Sequence, residues 1–193
     1  MLKDVFICLL LALATPFQAQ ARSSNPRAEK PVSVMAEVGL GGSNGTLGLA
    51  LGYDFNDWVG TTVGGGYSVF SDAVLASAML NLHVIRGKNN SGAESSLMLS
   101  LGSGFRGSAE STRQGWLGDD DVITSSDYSI WLNSAAAYAY ATQSGMRLRV
   151  YLGYNHPLHV ENHVETNQSG HVLSSPSSPK GTMSLGVQFG AAF

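Results

Sequence analysis

From Val32 to the last residue, apolar side chains alternate with small or polar ones at a period of two. That period sends neighbouring residues to opposite faces of a β-strand, and the pattern recurs eight times. The first stretch sets Val32, Val34, Ala36, Val38 and Leu40 against Ser33, Met35, Glu37 and Gly39. The second sets Leu47, Leu49, Leu51, Tyr53 and Phe55 against Gly48, Ala50, Gly52 and Asp54. The others run over 59–69, 74–84, 96–106, 128–140, 146–154 and 183–193. Most are close to the roughly 9–11 residues that a tilted membrane strand needs.

The connections are uneven. Asn56-Asp57, Ser71-Asp72, Arg86–Gly92 and Thr142–Gly145 are short turns, whereas 107–127 and 156–180 are long and polar. With the N-terminus in the periplasm, the turns after the second, fourth and sixth stretches are all short. Both long loops then fall on the outside, which is the asymmetry of outer-membrane barrels.

Aromatic positions decide which face meets lipid. Tyr67, Phe105, Tyr128 and Tyr154 stand at the outer ends of the apolar faces, and Tyr53, Phe55, Tyr138, Tyr140, Phe189 and Phe193 toward the periplasmic ends. Two girdles around a Leu/Val/Ala band fit a lipid-facing exterior. The opposite face of Gly, Ser, Asn and a few charges would make a poor core for a lipocalin-like soluble barrel. No apolar segment beyond the N-terminal one reaches the ~20 residues of a membrane helix. Only helices and closed sheets satisfy every backbone group in lipid. The expected fold is therefore all-β, an eight-stranded antiparallel up-and-down transmembrane β-barrel.

Composition narrows this further. Charged residues make up only 13%, the formal net charge is −3 and no basic run occurs, so nucleic acid is not an expected partner. No proline lies between Val32 and Asn155. The apolar run Val5–Ala14 breaks at Pro16 and reaches Ala19-Gln20-Ala21, a small-x-small cleavage site. Residues 1–21 read as a signal peptide and 22–193 as the barrel domain, exported to the bacterial outer membrane. The single cysteine, Cys8, lies inside the leader, so the mature chain carries no disulfide.

The eight segments and the terminal strand Met183–Phe193 resemble the OmpA/OmpX-type family of small outer-membrane barrels, over essentially Val32 to Phe193. The resemblance implies that Phe193 acts as a recognition signal for the barrel-assembly machinery. Outer-membrane lipid and lipopolysaccharide become the implied surroundings. It implies no activity, since a fold alone does not fix one.

Candidate chemistry lies inside the barrel and in the loops. Parity sends Glu37, Asp54, His83, Glu94, Arg106, Arg147 and Arg149 inward. A barrel this narrow is filled by side chains, and charges inside it must pair. Arg147 and Arg149 are expected to compensate Glu37 and also Asp54, forming a polar plug; a small gated pore is the competing reading. In the last loop His156, His159, His163 and His171 alternate with Glu161 and Glu165. If extended, His159, Glu161, His163 and Glu165 share one face and could bind zinc, although the spacing matches no specific zinc motif. An exposed hairpin is the plainer expectation. Asp119-Asp120-Asp121 beside Trp116-Leu117 reads as a solvated acidic tip.

Lipid A deacylases and palmitoyltransferases are small barrels of similar size. The deacylase resemblance would need a His-x-Ser pair near the outer end of a strand. Here that end reads Tyr154-Asn155-His156-Pro157-Leu158, so the serine is missing and a loop residue such as Ser174 is a weak substitute. The expectation is a non-enzymatic barrel without cofactor, carrying any surface role in its two long loops.

Overall fold

The computed structural model describes residues 26–113, 122–167 and 180–193. The leader, the acidic tip at 119–121, His171 and Ser174 lie outside them.

Eight antiparallel strands of 10 to 16 residues close into one barrel. They are β1 (Val32–Gly42), β2 (Gly45–Asp54), β3 (Val59–Ser68), β4 (Ala73–Lys88), β5 (Glu94–Arg106), β8 (Tyr128–Ala141), β9 (Met146–Glu161) and β11 (Thr182–Ala192). Each pairs with the next barrel strand along the chain, and β1 pairs with β11 to close the ring. Closure matters because an open edge would leave a row of backbone donors and acceptors unpaired. Three short strands, β6 (Ala109–Arg113), β7 (Val122–Ser126) and β10 (Val164–Asn167), form a separate sheet beyond the barrel.

Burial in the barrel is inverted relative to a water-soluble one. Leu49, Leu51, Leu101, Leu152 and Leu185 are exposed on the outer wall, while Glu37, Asn81, Asn133 and Arg147 are buried within. The buried apolar residues are chiefly alanine and methionine, with Leu75, Trp131 and Tyr151 the exceptions. Tyr53 meets Phe55 edge-to-face at 5.1 Å between centroids at the short-turn end, where Trp58 is also exposed. At the long-loop end Phe105 stacks on Tyr128 at 6.0 Å.

The structure departs from the expected strands where the period of two breaks. In β4 the pairing with β5 shifts between His83 and Ile85, so both Val84 and Ile85 are exposed. This bulge reverses the parity, and Arg86, expected in a turn, swings toward the inner rim. Its Nη2 donates to Glu94 Oε2 at 2.6 Å, and its guanidinium lies 5.1 Å from the Trp58 ring centre.

β9 continues to Glu161, so the segment expected to start looping at His156 is strand for six more residues. Its register with β8 shifts beside Pro157, which has no N–H for the ladder. The loop expected over 107–127 contains β6 and β7, and β7 pairs with β10 from the other loop. The two long connections are thus joined into one small sheet. The sequences Ala-Glu-Ser-Thr-Arg and Val-Glu-Thr-Asn carry no alternation of apolar and polar residues, which hid those strands from a hydrophobic-period reading.

Candidate functional site

The barrel interior gathers the buried charged side chains of the described residues, and its floor is formed by a segment that strand parity does not reach. A short helix, α1 (Pro26–Glu29), precedes β1 and tucks under the short-turn end. Arg27 there is 1% exposed. Its Nε donates to Glu94 Oε1 at 2.8 Å, Nη2 donates to Ser96 Oγ at 3.2 Å, and Nη1 lies 3.8 Å from Asp54 Oδ2. Asp54 also faces His83 Nε2 at 4.0 Å, and the other ring nitrogen of His83 is 2.8 Å from Ser96 Oγ. Backbone contacts hold α1 in place: Arg147 Nη2 donates to the carbonyls of Pro26 and Lys30 at 3.0 and 2.9 Å. Lys30 Nζ in turn donates to the Ser144 carbonyl at 2.8 Å.

The pairing expected from sequence is therefore corrected in part: Arg147 and Arg149 act on the Asp54 charge at longer range but make no ion pair with Glu37 or Asp54 among the described residues. Arg147 anchors the N-terminal segment instead of compensating Glu37. Arg149 Nη1 donates to Thr62 Oγ1 at 3.0 Å and, at 3.5 Å, to Gln188 Oε1. Arg27 takes Asp54 and Glu94.

Glu37 is satisfied by neutral donors. It accepts from Tyr151 Oη, Asn44 Nδ2 and Gln188 Nε2, each at 2.7 Å. Three short hydrogen bonds to a carboxylate at 1% exposure replace the water it has lost. The Tyr151 ring has space because its neighbour is Gly186, where a Cβ would come within 2.6 Å of Tyr151 Cζ. Asn44 reaches Glu37 from the β1–β2 hairpin, whose Gly41 and Gly45 adopt positive φ of 63° and 90°. Asn44 Oδ1 also accepts from Ser77 Oγ at 2.7 Å. The hairpin thus folds one side chain into the lumen from the long-loop end, as α1 does from the other.

Replacing Tyr151 by Phe is expected to cost about 1.5–3 kcal/mol, since it removes a hydrogen bond to a buried charge. The exposed Tyr154→Phe should change stability by less than about 0.5 kcal/mol. Urea unfolding in lipid vesicles, followed by tryptophan fluorescence, would compare the two. Equal midpoints would mean that Tyr151 does not support Glu37.

Between the two inserted segments a cavity of about 40 Å³ remains, lined by Asn81, Ser100, Asn133, Arg149 and Tyr151 together with Met79, Met98 and alanines. A smaller one of about 10 Å³ adjoins it toward the long loops, sharing Ser43, Asn133 and Asn155 and including Arg106 and Trp131. Spaces of this size suit a few waters, not a water-filled channel.

The loop histidines are only partly brought together. His159 Nε2 lies 3.0 Å from Glu161 Oε2, both about half exposed, and the His159 ring sits 5.7 Å from that of Tyr128. The extended run expected through Glu165 is interrupted, because Asn162 turns the chain at φ 47°. His163 is thereby removed from the His159–Glu161 face. Among the described residues no three His, Cys, Asp or Glu side chains gather to hold a metal. His156 points outward and is exposed, and among the described residues no serine hydroxyl hydrogen-bonds to it.

Fold and interior together define a closed eight-stranded up-and-down barrel with an apolar outer wall and a polar, largely filled lumen. A solved structure, "Crystal Structure of Acinetobacter baumannii CarO", is similar over 84% of this chain and 98% of that one, at 14% identity and a TM-score of 0.43. No protein-family model matches the chain, and no curated protein matches it.

Proposed function

We propose that this chain is a non-enzymatic bacterial outer-membrane protein of the OmpA/OmpX type, whose plugged barrel anchors a surface sheet built from its two long loops. The observation that carries this reading is the inverted burial: a belt of exposed Leu and Val surrounds a lumen of hydrogen-bonded polar groups. In water such a wall would be a large aggregating patch, whereas in a bilayer it is the solvated surface. The short-turn end would face the periplasm and the β6–β7–β10 sheet the outside. Residues 1–21 would direct export, and Phe193, exposed at the end of the closing strand, would serve the assembly machinery.

The plugged-lumen reading is favoured over a gated pore by the segments inserted at both ends, Arg27 from α1 and Asn44 from the β1–β2 hairpin. A structural, surface-binding role then falls to the joined loops, held on a rigid scaffold. Outer-membrane lipid and lipopolysaccharide are the proposed surroundings of the belt. No cofactor is part of this proposal.

The test combines fractionation with protease shaving of intact cells. The protein should partition with the outer membrane, migrate differently on gels before and after boiling, and be cut only within 107–127 or 162–181. Purified barrels in planar bilayers should give no steady conductance. Recovery in a soluble fraction would overturn the membrane assignment, and a stable ohmic conductance would replace the plug with a pore.

A further inference from the structure

Counting charges inside the barrel exposes an imbalance. Arg27, Arg106, Arg147 and Arg149 face Glu37, Asp54 and Glu94, which leaves one positive charge in excess among the described residues before His83 is counted. Arg86 does not change the sum, because Asp57 Oδ2 lies 3.3 Å from its Nη1.

The four cations differ in their partners and in whether a cavity adjoins them. Arg27 has carboxylates, and Arg149 has a hydroxyl and an amide oxygen. Arg147 has two carbonyls and keeps Nε and Nη1 buried without a hydrogen-bond partner, but it lines neither interior cavity. Among the described residues Arg106 has only the face of Trp131, with its guanidinium carbon 4.8 Å from the ring centre. Its Nε is buried and makes no hydrogen bond. A half-buried cation with an orphaned donor is costly unless an acceptor supplies charge and hydrogen bonds.

A second donor points the same way. Asn133 is 3% exposed, and its Nδ2 is buried without a hydrogen-bond partner. Both residues line the same cavity of about 10 Å³ at the long-loop end, with Trp131 between them along the wall. Asn155, the other amide there, already donates from Nδ2 to the Gly41 carbonyl at 2.6 Å. A water could accept from either orphaned group, but it would leave the extra charge uncompensated.

We propose that this recess binds one small monovalent anion, of halide size, held between the Arg106 guanidinium and the Asn133 amide against the Trp131 edge. A divalent cation is disfavoured because both orphaned groups are donors. A cavity of about 10 Å³ admits a single water-sized occupant, which excludes nucleotides and sugars.

Trp131 supplies the readout. In a full-length mature Trp58→Phe, Trp116→Phe background, Trp131 is the only indole, and bromide bound beside it quenches by the heavy-atom effect. Refolded protein in detergent is titrated with sodium bromide, with sodium gluconate holding ionic strength constant. Saturable quenching is expected, competed by chloride. Arg106→Gln should weaken apparent affinity by about tenfold or more, the loss expected for a charge-assisted hydrogen bond.

Asn133→Asp keeps the side chain's shape and gives Arg106 a covalent counter-ion. It should abolish saturable quenching even if Arg106→Gln fails to fold. Purely linear quenching in the parent would overturn the proposal. So would saturable quenching that survives in Asn133→Asp, which would put the anion elsewhere.

Discussion

Replacing Arg27 by Met should destabilise the folded barrel by about 3–5 kcal/mol, the cost of stripping one partner from a buried ion-pair group. Asp54 and Glu94 both use the Arg27 guanidinium, and all three side chains are at most 5% exposed. Solvent therefore cannot compensate when the cation leaves. The two carboxylates would not suffer equally. Glu94 keeps Arg86 at 2.6 Å, whereas Asp54 would keep no arginine in direct contact among the described residues, only His83 at 4.0 Å and the longer-range field of Arg149 and Arg147. Adding Asp54→Asn to the Met variant should therefore recover a large part of the loss, and adding Glu94→Gln much less.

Urea unfolding of the four proteins of the Arg27–Asp54 cycle, in vesicles of fixed composition, measures that coupling directly. An Arg27→Met midpoint within about 0.5 kcal/mol of the parent would show that the lumen holds itself together without α1. Arg27→Lys makes a useful intermediate: it keeps the charge but cannot span Asp54, Glu94 and Ser96 with one rigid fork.

Arg27 also marks where sequence reading ended. The barrel itself was legible because one physical period, repeated eight times, decides the face of each residue between Val32 and Phe193. Parity predicted the inward direction of Glu37, Asp54, His83, Arg147 and Arg149, and all five are buried. Parity says nothing of height along the axis or of which wall lies opposite. Arg149 meets Thr62, 87 positions away, and Tyr151 meets Glu37, 114 positions away. Those partnerships follow from strand tilt and stagger around a closed ring, which local pattern does not encode.

Other misses came from places where the period itself fails. A four-residue helix has no period to read, so Arg27 left no trace beyond lying between Pro26 and Pro31. The bulge after His83 reversed parity and brought Arg86 to Glu94. Pro157 disturbed the ladder without ending β9, so the strand outran its expected limit. In the loop, the face shared by His159 and Glu161 follows from β9 continuing, and the loss of His163 from that face follows from the left-handed Asn162. The Arg106 recess had a weaker signal. Arg106 was an inward charge without a named partner, but the orphaned Asn133 amide beside it is a fact of packing alone.

The outer wall offers a test whose magnitude differs between membrane and water. Leu49 lies midway along β2, between Leu47 and Leu51 on the same face, and is 66% exposed. Its cross-strand partners are Ala36 and Gly65, so no carboxylate lies directly opposite on either neighbouring strand. In a soluble protein, Leu→Arg at such a position would be nearly neutral, within about 0.5 kcal/mol. In a bilayer the guanidinium would sit near the hydrocarbon midplane, at a cost of about 2–4 kcal/mol. Leu49→Arg is therefore expected to lower stability in lipid vesicles by that amount. The same change at Tyr53, in the girdle at the end of the strand, should cost only about 0–1 kcal/mol because the charge reaches the headgroups. Reversible urea titrations in vesicles measure both. A depth-dependent difference supports lipid contact along β2; equal, near-zero effects at the two positions would mean that water covers this wall and that the barrel does not cross a membrane.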